Sequence, residues 1–319
     1  MSSLSASALR LADSADSQAP QQPQQPSSSP APATPHLQSP QRVIESLQEE
    51  ILSLQDEVNM LRRRDETLKY YMHRVDEELR LAARLQRDFL PRTLPEVGNV
   101  RFHVLFRPAT YVSGDIYDVQ RLDETNVGIY IADAVGHGMP AALLTMFMKR
   151  ALVTKEILTD GYRLLSPAET MSRLNDALVE QELTQATFAT ALYATIDTKT
   201  LTFKFARGGH PSPILLTAAG EVKHLEADGG LLGIFPGDNY VEGSAQLSKG
   251  DRLFIYTDGV EVAFSDTGDI DAECWQRELL DNANVPTDEL LLNLSRRIDT
   301  ETGSLQPKDD LTIVAAEVV

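Results

Sequence analysis

The chain is poor in sulfur, in uninterrupted apolar runs and in positive charge. Its one cysteine, Cys274, excludes an internal disulfide framework and any paired-cysteine metal or redox motif. The longest nearly charge-free apolar stretch, Ala141 to Met148, is far too short to cross a bilayer. No basic, apolar and small-residue leader opens the sequence, so the expected location is the cytoplasm, with no membrane span. Basic residues number 29 against 47 acidic ones, a formal charge of −18. Residues 1–41 and 42–92 each carry −1, which leaves −16 on residues 93–319. A surface that acidic repels nucleic acid and anionic lipid and favours cations, while most of the charge serves solubility.

The 319 residues fall into three segments of different character. Residues 1–41, rich in Ser, Ala, Pro and Gln, cannot bury enough apolar surface to offset chain entropy, so a disordered tail is expected. Over residues 42–92 a helix is expected. Ile44, Leu47, Ile51, Leu54, Val58 and Leu61 recur with alternating spacings of three and four. β-Branched residues at the first heptad position and leucine at the fourth favour a parallel two-stranded coiled coil, hence a homodimer through residues 42–90. One long amphipathic helix lying on its own domain is the alternative. Asp65 and Gln86 interrupt the apolar seam, where polar residues set register or leave a helix pair able to shift. Pro91 ends the helix. With no sensor domain ahead of the helix, a regulator binding this N-terminal segment is an expected partner.

Residues 93–319 alternate between strand-like and helix-like patterns. Strands are predicted at 101–107, 115–121, 127–132, 188–196, 201–206, 252–257 and 311–318, with those near 188–197 and 201–207 forming a hairpin. Helices are predicted at 139–158, 167–181 and 287–299. The second carries a capping box, Ser166 with Glu169, and Pro167 in its first turn. This order implies a layered α+β domain rather than a doubly wound parallel sheet.

Chemistry-bearing residues collect where strands stop. Asp115 and Asp133 are 18 residues apart, which fits two antiparallel strands joined by a turn at Asp123 to Asn126 and places both carboxylates at one sheet edge. After Asp133, Ala134-Val135-Gly136-His137-Gly138 bends into a helix and offers backbone groups to a metal or a phosphate. Asp258-Gly259 and Asp309-Asp310 repeat the strand-edge logic. Each alone is ordinary turn chemistry; together they suit a hard divalent cation.

The ordered motifs Ser-Gly-Asp-Ile-Tyr-Asp, Ala-Asp-Ala-Val-Gly-His-Gly, Gly-Gly-His-Pro, Leu-Gly-Ile-Phe, Tyr-Thr-Asp-Gly-Val and Asp-Asp-Leu-Thr-Ile-Val resemble the bacterial PPM-type, type-2C-like serine/threonine phosphatases of the SpoIIE/RsbU group. The resemblance runs from about Leu85 to the C-terminus. It implies an αββα sandwich in which Asp115, Asp133, Asp258 and Asp309, with the Ala134 carbonyl, bind two Mn²⁺ or Mg²⁺ ions, Asp133 bridging them. Asp118, Asp310, His137 and Gly136 then stand around the ions rather than on them. The implied substrate is a phosphoprotein, a STAS-type anti-anti-sigma factor. Two departures stand out. Ser113 replaces the first glycine of the relatives' Gly-Gly-Asp, and Glu261-Val262-Ala263 replaces Thr-Glu-Ala. Two cations about 3.5–4 Å apart acidify a shared water and neutralise phosphoryl oxygens, so water attacks phosphorus with no phospho-enzyme. His137 and His210 are candidate general acids, although a turn-filling role suits each better. Hydrolysis of small phosphate esters and an inactive dimeric scaffold are the competing readings.

Overall fold

The structure, a computed structural model, describes residues 39–183, 188–264, 272–301 and 309–319. The tail expected to be disordered lies outside the described residues as far as residue 38. The chain divides into two units, Met1–Glu66 and Thr67–Val319.

Helix α1 runs Pro40–Phe89. Its heptad residues Ile44, Leu47, Ile51, Leu54, Val58 and Leu61 are all exposed in the single chain. Its only buried side chains are Ala83 and Gln86, near its C-terminal end.

Two five-stranded sheets follow, and every strand pairing among the described residues is antiparallel. One has the order β1-β12-β11-β8-β9, from strands Val100–Arg107 (β1), Ile214–Leu216 (β8), Val222–His224 (β9), Arg252–Tyr256 (β11) and Leu311–Val318 (β12). The other has the order β10-β7-β6-β3-β2, from Asp115–Arg121 (β2), Asn126–Ala134 (β3), Ala189–Asp197 (β6), Thr202–Gly208 (β7) and Gly243–Gln246 (β10). Helices α2 (Met139–Ala151) and α3 (Pro167–Val179) pack on the β2–β7 side. Helices α4 (Gly259–Phe264), α5 (Ala272–Asp281) and α6 (Thr287–Glu301) cover the first sheet. The mixed α/β sandwich is therefore as expected.

Alternation along β11 explains the layering. Leu253 and Ile255 join Val314 and Ala316 of β12 in the core between the sheets. Phe254 and Tyr256 turn the other way, against Trp275, Leu290 and Leu294 of the helices. Each such side chain contributes about 1.5–3 kcal/mol when fully buried.

The capping box of α3 is present: Glu169 N–H donates to Ser166 Oγ at 3.2 Å and Ser166 N–H to Glu169 Oε2 at 3.0 Å. The helix predicted over 139–158 is shorter. It stops at Ala151, and Lys155–Leu158 (β4) pairs instead with Gly161–Leu164 (β5). The β-branched Val153 and Thr154 favour extended backbone, and Thr159-Asp160 ahead of Gly161 closes a two-residue turn, which outweighs the helical periodicity.

Candidate active site

The β2–β3 hairpin brings the first two acids together, with Asp115 directly opposite Asp133 in the register. Its turn is held by Asp123, whose Oδ1 accepts the backbone N–H groups of Thr125 (2.9 Å) and Asn126 (2.7 Å). From the other sheet, β11 ends at Tyr256 and delivers Thr257-Asp258, while Asp309-Asp310 lead into β12 beside it. Gly259 allows the close crossing, because a Cβ there would lie 2.0 Å from the Asp310 carbonyl oxygen. Asp133, Asp258 and Asp309 line one cavity of about 640 Å³, together with Ala134, Val135, Gly136, His137, Phe188 and Thr190. Asp115 lies beneath it, 1% exposed.

The electrostatics are those of acids crowded out of water. Burial, then the charge on Asp133, holds the Asp115 carboxyl well above the usual carboxylate range. Burial, followed by Asp258 and Asp309, pushes Asp133 up to about 8. Asp258 is raised by burial and then by Asp309. Asp115 Oδ2 accepts the hydroxyls of Thr257 (2.8 Å) and Thr312 (2.6 Å), but its buried Oδ1 has no donor among the described residues. Among those residues no three Asp, Glu, His or Cys side chains are close enough to hold an ion unaided. An orphaned buried carboxylate oxygen among all-oxygen neighbours nevertheless fits a hard divalent cation.

The family described as Stage II sporulation protein E (SpoIIE) matches residues 123–319, more than half of the chain. The chain belongs to the SpoIIE family. Membership makes it a PPM-type serine/threonine phosphatase, with the metal dependence typical of that class. It is 26% identical over 250 residues to phosphoserine phosphatase RsbU of Bacillus subtilis, covering 78% of this chain and 72% of RsbU. With phosphoserine phosphatase RsbP of the same organism it shares 28% over 246 residues, 76% of this chain and 58% of RsbP. The SiaA-PP2C domain of Pseudomonas aeruginosa superposes with a TM-score of 0.64 at 23% identity, covering 76% of this chain and 97% of that domain.

Around this SpoIIE-family pocket, Asp310 braces the preceding loop: Oδ1 accepts Ala109 N–H at 2.7 Å and Oδ2 accepts Gly114 N–H at 2.6 Å. Asp118 pairs with Lys149 of α2 at 3.1 Å. Gly136 and Gly138 adopt φ of 88° and 75°, the bend that starts α2, and the exposed His137 sits between them on the cavity wall. His210 is fully buried beside Thr190, with Nδ1 2.9 Å from its hydroxyl. Burial lowers its pKa to about 3, so it is a neutral packing residue rather than a proton-donating imidazolium.

Gln86 departs from the heptad reading. It does not simply interrupt a seam: its Nε2 donates to the Ser113 carbonyl at 2.6 Å and its Oε1 accepts Ser113 N–H at 2.9 Å, two residues before Asp115. Sequence reasoning passed over Thr257 and Thr312. The available signal was a hydroxyl on the core-facing side of an otherwise apolar strand.

Proposed function

We propose that the chain hydrolyses phosphoserine or phosphothreonine on a regulatory protein, a STAS-type partner, in the cytoplasm. Asp115, Asp133, Asp258 and Asp309, with the Ala134 carbonyl, would hold two Mn²⁺ or Mg²⁺ ions. The observation that carries this reading is the meeting of four acids from both sheets at one cavity, with Asp115 raised by burial and by Asp133, and Asp133 raised by burial and by Asp258 and Asp309. When bound, the ions supply an acidified water and neutralise charge on the phosphoryl group. Val135, Phe188 and Ala109 form an apolar part of the cavity wall, and among the described residues no cysteine or serine lines it. The names of RsbU and RsbP support phosphoserine as the target, and the SpoIIE/RsbU resemblance supports a STAS-type regulator. No described helix is long and apolar enough to cross a membrane.

Control runs through the helix. The exposed stripe from Ile44 to Leu61 supports a parallel homodimer through residues 42–90, open to a regulator of the N-terminal segment. Gln86 ties the end of that helix to the backbone beside Asp115.

Asp258→Asn should abolish Mn²⁺-dependent release of phosphate from phosphoproteins while the far-ultraviolet circular dichroism stays unchanged. Wild-type turnover in this variant would refute the site. A panel that set nucleotides and sugar phosphates above every phosphoprotein would overturn the substrate class.

A further inference from the structure

Asp115 is held from the side of Oδ2 by two hydroxyls that reach it from separate strand ends. Thr257 follows β11 and Thr312 is the second residue of β12; both are 0% exposed. Thr257 Oγ accepts Thr312 N–H at 3.0 Å and donates its own proton to Asp115 Oδ2 at 2.8 Å. Thr312 Oγ donates to the same oxygen at 2.6 Å. Two donors fill Oδ2 and leave Oδ1, which has no donor among the described residues. Asp115 N–H meanwhile donates to Ser113 Oγ at 3.1 Å, which anchors the main chain at that point.

We infer that Thr257 and Thr312 are positioning residues that make Asp115 a one-oxygen ligand, its Oδ2 held by hydroxyls and its Oδ1 presented to a divalent cation. The inference rests on the two-ion reading above. Carboxylates that can rotate bind an ion through either oxygen or both; a carboxylate pinned by two short bonds meets it with one oxygen in one place. Hydroxyls suit the task because each has a single proton to commit, while a lysine or arginine would bring a charge competing with the cation. Thr312 lies in the sheet opposite the one that carries Asp115 and Thr257 directly follows a strand of it, so the pinning also ties the ligand to the facing layer.

Mn²⁺ binding to the full-length, EDTA-stripped protein, measured by isothermal titration calorimetry, tests this. Thr312→Val and Thr257→Val keep the shape and remove the hydroxyl. Each should weaken binding about 10- to 100-fold, the range found when partners of a metal ligand are removed. Thr312→Ser and Thr257→Ser should bind within about threefold of wild type, because the hydroxyl remains. Valine variants that bind as tightly as wild type would overturn the inference, as would serine variants that lose as much as valine ones, since packing rather than the hydroxyl would then matter. The two threonines reach the same oxygen from different strands, so if one valine variant fails to fold the other still decides. Wild-type protein that takes up no Mn²⁺ would instead strike the two-ion reading itself.

Discussion

Raising the pH on metal-free protein should loosen it, because burial and neighbouring acids hold Asp133 protonated in the folded chain. Its carboxyl rises from 3.8 to about 8. Between those values the folded chain keeps a proton that the unfolded chain has released, so stability falls by about 1.4 kcal/mol per pH unit. His210 acts in the opposite sense. Its folded value is about 3 against an ordinary 6.5, so stability rises with pH until 6.5 and His210 adds no slope beyond that. The two slopes offset one another at mildly acidic pH. From pH 6.5 to pH 8, Asp133 alone should cost about 2 kcal/mol, with Asp115 adding in the same direction. Urea denaturation in EDTA reads this directly, followed by the fluorescence of Trp275, the only tryptophan and fully buried. The wild-type midpoint should fall across that window. That of Asp133→Asn, whose amide does not titrate, should fall less and end above wild type at pH 8, and Mn²⁺ should restore the wild type. A wild-type midpoint independent of pH, or the same slope in both proteins, would refute the reasoning.

Gln86→Leu should destabilise the protein by about 2–5 kcal/mol, because the N–H and carbonyl of fully buried Ser113 lose their partner together. Differential scanning calorimetry checks this, and an unchanged melting temperature would count against the clamp. Replacing the helix ahead of residue 67 with coiled coils of stepped register should change phosphatase turnover from one register to the next. Equal rates in every register would remove the helix from control of the site.

Much of the site was legible because its signals are local. Asp115, Asp133 and the Asp123 turn between them lie in one hairpin, and strand alternation with an Asx turn specifies that register within 20 residues. The capping box of α3 is equally local. What escaped is non-local or ambiguous. The insertion of β12 between β1 and β11 joins segments some 200 residues apart, and no short pattern announces it. Thr312 looks like one polar letter in Leu-Thr-Ile-Val until Asp115 is placed over it. Gln86 fits a heptad and a docked helix end equally well by spacing, and only the Ser113 backbone separates the two. Residues 152–158 continue an apolar pattern that suits helix or hairpin, and the turn at Thr159-Asp160 decides it.

The central place of β12 also governs when the enzyme can exist during its own synthesis. Among the described residues β1 has β12 as its only partner strand, so the earliest strand of the domain must wait, unpaired, while some 200 residues emerge behind it. Such long-range closure makes folding slow and leaves an open strand edge in the nascent chain. Residues 309–312 are also what bring Asp309 and the Thr312 hydroxyl to the pocket. A chain cut short before Asp309 therefore has an unfinished sheet and an incomplete acidic pocket. Phosphatase activity therefore has to wait for the strand at Leu311–Val318 and the acid just ahead of it.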